Sequence, residues 1–274
     1  MINIHNLDYA YSAKNRVFTG LDLRLEEGHI HGLFGCNGMG KTTLLKLLAG
    51  LLCSTAGSIS VDDREPFKRE VAFLSEVMFL PEELSLPHLS VQTYAKITAP
   101  FYPRFSAEDF SRHLAALEID PKQNFAKMSM GLRKRAYMAF ALATNTRYLL
   151  LDEPTNGLDI PSKSVFRRMI AEALTEDKTI LISTHQVKEI ESLIDNVVII
   201  DHAGLVINAS TEELGCKFAF GKAPEGTTPI YSEQTPQGLL SLSRNVGAES
   251  QPDIELLFNA TVEHRAEIIN TLKN

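Results

Sequence analysis

Residues Gly35 to Thr43 read GCNGMGKTT, a spacing of glycines before Lys-Thr that suits the capture of phosphate. A loop of this kind, entered from a strand and left by a helix, aims unpaired backbone N–H groups and a positive helix end at one spot. Gly35, Gly38 and Gly40 let the backbone wrap closely around an anion, with Asn37 between them. Lys41 then reaches the β- and γ-phosphates as a point charge, the Thr42 hydroxyl is placed to ligate Mg²⁺, and Thr43 adds a hydroxyl to the α-phosphate. A second group lies at Asp152-Glu153, where the apolar run Tyr148-Leu149-Leu150-Leu151 ends in two carboxylates. Asp152 is positioned to hold Mg²⁺ through water, and Glu153 to orient or polarise a water. His185 follows another apolar run and is expected beside Glu153, in reach of a γ-phosphate. An Asp-Glu pair alone reads as a solvated turn and a lone histidine as structural; the phosphate loop upstream and Pro154-Thr155-Asn156-Gly157-Leu158-Asp159 downstream give them a role.

These groups need rigid elements behind them. Ile30, Gly32, Leu33 and Phe34 read as the strand entering the loop, and Leu44 to Ala49 as the helix leaving it, with Gly50 as its stop. Tyr148–Leu151 and Thr179–Ser183 are continuous in apolar residues, as strands of a parallel sheet covered on both faces are. Ahead of the loop, Ile2 and Ile4, then Leu21, Leu23 and Leu25, alternate around the polar turn Ser12 to Arg16 and predict antiparallel strands. Ser54 to Gly57 makes a turn into the strand Ser58–Val61. Val71-Ala72-Phe73-Leu74 reads as a short buried strand, with Ser75 to Pro81 as the loop after it. From about His88 to Asn145 the pattern is mostly helical: Ser106 with Asp109 makes a capping-box-like start, and Phe110, Leu114 and Leu117 follow at helical spacing. A helix from Pro161 to about Leu174 and a hairpin of Asn196–Asp201 with Leu205–Asn208 complete the core. His29 and His31 alternate on one strand without a third ligand nearby, so they read as a solvated strand face.

The 274 residues suffice for one large α/β domain and something smaller. A formal net charge of -7 argues against a general nucleic-acid or anionic-lipid surface. No apolar run approaches the roughly 18 residues of a membrane span, and MINIHNLDYA lacks the regions of a signal peptide, so a cytoplasmic chain is expected. Cys36, Cys53 and Cys216 lack metal spacing and fit free thiols.

In this order the motifs resemble those of the nucleotide-binding subunit of an ABC transporter, over about residues 1–215. GCNGMGKTT matches that family's phosphate loop, YLLLDEP its second acidic motif, NGLD its D-loop and STH its histidine switch; MSMGLRKR, Met128 to Arg135, is similar to a divergent form of its signature, usually LSGGQ. The resemblance implies an α/β fold: a P-loop NTPase core with a mixed sheet flanked by helices, an antiparallel β subdomain and a helical signature subdomain at about 88–145. It implies ATP and Mg²⁺, and a head-to-tail dimer in which the phosphate loop of one chain and the signature helix of the other hold each ATP. In that role Ser129 donates to the γ-phosphate, Gly131 permits close backbone approach, and Asp159 belongs to the D-loop beside the nucleotide. Tyr11 falls where the family stacks an aromatic ring on adenine, with Tyr9 as a competitor. The run Arg133, Lys134, Arg135 reads as a solvated helix face.

Three positions depart from the family pattern. Glu76 stands in the expected loop where most members place a glutamine that contacts Mg²⁺ and the attacking water, and Met130 and Leu132 replace Gly and Gln of the signature. Similar departures mark the branch that powers two-subunit exporters of antibiotics, peptides and lipids. The implied partners are a transmembrane permease and a second ABC ATPase chain, identical or similar, with the subunit held at the inner face of the membrane. The loop around Glu76 and the segment from Leu80 to about Pro103, with Met78, Phe79, Phe101 and Tyr102, is the expected permease contact. The alternative is an ABC ATPase of iron-sulfur assembly, translation or DNA repair; one cassette, no heptad run and no cysteine pairs speak against it. Residues 216–274 are expected to form a small C-terminal extension of α+β type, with a linker at Lys222–Pro229, a strand at Thr228–Ser232 and a helix at Ile254–Leu272.

Overall fold

The alternation of Ile2 and Ile4, then after a register shift of Leu7 and Tyr9, with less buried neighbours makes β1 (Ile2–Ser12), and Leu21, Leu23 and Leu25 do the same for β2 (Asn15–Leu25). The two pair antiparallel, and β4 (Ala56–Val61) adds to the other side of β1, so this sheet runs β2-β1-β4. The computed structural model describes residues 1–223, 228–236, 238–247 and 250–273.

β3 (His29–Phe34) leads through the phosphate loop into α1 (Lys41–Leu48). That helix stops where expected: Gly50 takes φ +69°, its N–H bonds Leu47 O and the Leu51 N–H bonds Lys46 O. Four further strands, β5 (Val77–Leu80), β6 (Tyr148–Asp152), β7 (Thr179–Ser183) and β8 (Asn196–Asp201), run parallel with β3, while β9 (Gly204–Ser210) closes the edge antiparallel to β8. The order is β5-β6-β7-β3-β8-β9. Because alternate side chains face opposite ways, each strand feeds two cores. Tyr148, Leu150, Leu181 and Val198 pack with α1 and the antiparallel sheet, whereas Leu149, Leu151, Ile180 and Ile182 pack beneath the helical region.

α2 (Val71–Leu74) is a one-turn helix, not the strand expected there; the strand is β5, within what reads as loop. VAFL and VMFL are both apolar runs of four, and burial separates them: Val71 is 84% exposed, while Val77, Met78 and Leu80 are buried. The helical region contains α3 (Val91–Thr98), α4 (Ala107–Ala116) and α5 (Met130–Ala143), whose first turns are capped by Ser90, Ser106 and Ser129. After β6 come α6 (Ile160–Ala173) and, past β7, the short α7 (Val187–Ile190).

The final residues form α8 (Thr211–Lys217), a sheet of β10 (Phe218–Gly221), β11 (Tyr231–Thr235) and β12 (Gly238–Arg244) in the order β10-β12-β11, and α9 (Ile254–Lys273), kinked at His264. The strand expected at Thr228–Ser232 thus starts later, and residues 224–227 of the expected linker lie outside the described residues. Phe218, Leu242, Ile254 and Leu257 join the same apolar cluster as Leu149 and Ile182 of the central sheet.

Candidate active site

The strand tips converge on one cleft. Between β3 and α1 the chain turns at Gly38 (φ +84°) and Gly40 (φ +95°), and a Cβ on Gly40 would sit 2.5 Å from Val17 Cγ1. Only glycine meets both demands without moving its neighbour. Lys41 is buried at the start of α1, and its ammonium donates to Gly35 O at 2.6 Å. Burial pushes its pKa down from the usual lysine value, while the carboxylates of Glu153 and Asp152 pull it up. A hollow of about 340 Å³ is lined by Tyr11, Asn37, Gly38, Gly40, Lys41, Thr42, Thr43, Glu82 and Glu153. Tyr11, not Tyr9, is the aromatic ring at this hollow: Tyr9 is buried in the core, and Tyr11 is half exposed with its hydroxyl 3.1 Å from Thr43 Oγ1.

Asp152 ends β6 and Glu153 follows in the left-handed region (φ +45°), a conformation that costs a non-glycine residue roughly 1–2 kcal/mol. Both carboxylates are buried. Ser183 Oγ donates to Asp152 Oδ1 at 2.6 Å, and His185 Nδ1 lies 2.9 Å from Glu153 Oε1. The other oxygen of each, Asp152 Oδ2 and Glu153 Oε2, is buried without a protein partner. Unpaired buried carboxylate oxygens are costly, and these two suit a cation and a water. Thr42, Glu82 and Asp152 line an adjoining hollow, and among the described residues no three His, Cys, Asp or Glu are clustered to hold a metal by themselves. That donor set fits Mg²⁺, which takes one or two protein oxygens and completes its shell with phosphate and water.

Residues 18–156 match the family model described as ABC transporter. The chain is 31% identical to the ABC transporter ATP-binding protein NatA of Bacillus subtilis over 218 residues, covering 76% of this chain and 88% of that protein. The chain belongs to the ABC transporter family. It is an ATP-binding, ATP-hydrolysing subunit of that family. It is also 30% identical to Nod factor export ATP-binding protein I of Burkholderia orbicola, covering 78% of this chain and 74% of the relative. An ATP-binding cassette solved as a dimer in a post-hydrolysis state with ADP and Pi shares the fold, with a TM-score of 0.68 and 20% identity over 77% of this chain and 98% of that one.

Within this ABC ATPase, the other expected residues divide. Glu76 is not at the nucleotide cleft. It precedes β5, and its carboxylate pairs with Arg104 at 2.6 Å. Glu82, beyond the other end of β5, lines the cleft, about 20 Å further along the extended chain. Glu82, not Glu76, is therefore the acid of this segment that lines the cleft. Ser129, exposed, and Gly131, half-buried, stand at the start of α5 outside the lining of the chain's own cleft; Ser129 Oγ accepts from the Leu132 N–H. A Cβ on Gly131 would meet Gly157 O at 2.8 Å, so the signature turn rests on the D-loop. Asp159 caps α6 through the Ser162 N–H at 2.9 Å, outside the cleft lining.

The charged run after the signature is not a solvated face. Lys134 is 3% exposed, and its ammonium donates to the carbonyls of Glu153 and Asn156. Arg133 donates to Met128 O, and Arg135 to Leu117 O and Ser162 Oγ. Asn156 in turn donates to Glu82 Oε1 at 3.0 Å. Glu82, Lys134 and Asn156 are the residues sequence reasoning missed. His31 also departs from its expected solvated position: it is fully buried, with Nε2 on Glu26 O, while His29 pairs with Asp195.

Proposed function

We propose that this ABC ATPase powers export of a substrate through a separate membrane-spanning permease, by ATP hydrolysis in composite sites of a head-to-tail dimer. The observation that carries the hydrolytic reading is the buried Glu153 carboxylate, held by His185 and facing the same cleft as Lys41. In this reading the phosphate loop and Lys41 bind the β- and γ-phosphates of ATP, and Tyr11 lies against the base. Glu153 accepts a proton from the attacking water, and His185 holds Glu153 and the γ-phosphate in register. Thr42, Asp152 and Glu82 would hold Mg²⁺, which supplies charge neutralisation and orientation of the phosphates. Ser129 and Gly131 lie outside the lining of their own chain's cleft, and the exposure of Ser129 supports completion of the second chain's site, whether that chain is identical or similar.

Export rests on the Nod factor export relative. The permease contact is supported by an open apolar groove of about 550 Å³ whose walls include Val71, Leu74, Met78, Phe79, Phe101 and Tyr102. Phe101 is 70% exposed there, alongside Val71. Among the described residues no helix is long and apolar enough to cross a membrane. In this proposal the subunit sits at the inner face of the membrane through the groove. The division into an ATPase domain at 1–215 and an extension at 216–274 belongs to the same reading.

Mg²⁺-dependent ATP hydrolysis measured against protein concentration, beside Glu153→Gln, tests it. Specific activity rising with concentration, abolished by Glu153→Gln with an ATP-bound dimer trapped, is the expected result. A specific activity independent of concentration would refute the composite site, and an active Glu153→Gln would remove Glu153 from the chemistry.

A further inference from the structure

Lys134 is a buried cation whose two hydrogen bonds go to main-chain carbonyls rather than to a carboxylate. That is an uneconomical way to fill space. A methionine or leucine of similar volume would pack without the cost of removing an ammonium from water. What the ammonium provides is a position. Glu153 O and Asn156 O lie on the two sides of the turn that carries the catalytic carboxylate into the D-loop. Glu153 stands there at φ +45°, with its N–H on Ser183 O and its carbonyl also accepting from the Asn156 N–H. A left-handed residue persists only where its surroundings over-determine it. The first turn of the same helix meets this loop independently, at Gly131 against Gly157 O.

We propose that Lys134 is a positioning residue for hydrolysis, a clamp that fixes the Glu153–Asn156 turn to α5. The signature at the head of α5 is the part that meets the second chain's nucleotide, so the clamp makes the chain's own carboxylate follow that engagement. The inference rests on the reading of Glu153 as the hydrolytic carboxylate. Lys134 is not part of the cleft lining; it acts through the backbone of Glu153, which is. Burial pushes its pKa below the usual lysine value, while the charges of Glu82, Glu153 and Asp152 oppose that shift.

The test uses the full chain with four variants, Lys134→Met, Lys134→Gln, Lys134→Asn and Glu153→Gln. Turnover is read separately from the affinity for a fluorescent ATP analogue. Lys134→Met keeps the volume and removes the donors; kcat is expected to fall at least about tenfold, with analogue affinity within about twofold of wild type. Lys134→Gln, which restores a donor amide of similar reach, is expected to recover kcat to within about threefold. Where Lys134→Met does not purify, Lys134→Asn, polar but too short to reach the two carbonyls, carries the same expectation as Lys134→Met. Wild-type kcat in Lys134→Met or Lys134→Asn overturns the proposal. So does a joint loss of kcat and affinity that Lys134→Gln fails to repair, since that is the mark of a purely structural lysine. Glu153→Gln separates the layers: an active Glu153→Gln sinks the reading of Glu153, whereas an inactive Glu153→Gln beside a fully active Lys134→Met sinks only the clamp.

Discussion

Glu76 and Glu82 stand at opposite ends of a four-residue strand, and that short element decides which carboxylate lines the cleft. Glu82→Ala is expected to lower kcat at least about tenfold and to raise the Mg²⁺ concentration needed for half-maximal rate. Glu76→Gln, which disturbs only a half-exposed ion pair with Arg104, is expected to leave both within about twofold. Steady-state ATPase assays across a Mg²⁺ titration distinguish them. The phosphate loop was legible in the sequence through its glycine spacing, and Asp152, Glu153 and His185 through their places at the ends of apolar runs in the order of the motifs. Glu82 was not, since nothing in the order of VAFL and VMFL says which run the sheet takes up. Lys134 was hidden for a related reason: lysine between two arginines is usually solvated, and only the D-loop packed over α5 buries it.

The elements make their own predictions. Ser129 caps α5, so Ser129→Ala is expected to cost about 1 kcal/mol in urea denaturation and to abolish the rise of specific activity with protein concentration. His31 on β3 and His113 on α4 give a pH dependence. Burial is the main cause that lowers the pKa of each below the ordinary 6.5. Above about pH 6.5 both residues are neutral whether the chain is folded or not, and their contribution to stability is complete. As pH falls through that value the unfolded chain takes up protons that the folded chain refuses, so stability drops. The urea midpoint is therefore expected to decline from pH 7.5 to 5.5, and His113→Leu to shrink the decline. The sequence revealed β6 and β7 of the parallel sheet through their unbroken apolar runs, but not β5. It gave His31 the wrong face because alternation counts apolar residues and a buried histidine looks polar; its bond to Glu26 O is made by the loop before β3.

At the scale of the molecule the sheet separates two tasks. The nucleotide cleft lies at the carboxyl ends of β3, β6 and β7, and the apolar groove lies among α2, β5 and the Phe101 turn. Val71→Asp combined with Phe101→Asp is expected to leave the ATPase activity of the isolated chain within about twofold of wild type and to abolish co-purification with the permease from detergent-solubilised membranes. The central sheet, its order of motifs and the last helix, expected at Ile254–Leu272 and found at Ile254–Lys273, were readable from the chain; the short strands before that helix were read only in part. Yet that extension reaches the chemistry. The Ile254 N–H donates to Glu191 Oε1 at 2.8 Å, Lys188 pairs with Glu255, and Leu257 joins Val187 and Ile190 in one apolar cluster. The helix thus clasped, α7, begins two residues after His185. The last helix is therefore a splint on α7, two residues beyond the histidine that holds Glu153, and a chain cut short before Ile254 would keep every motif while losing those contacts.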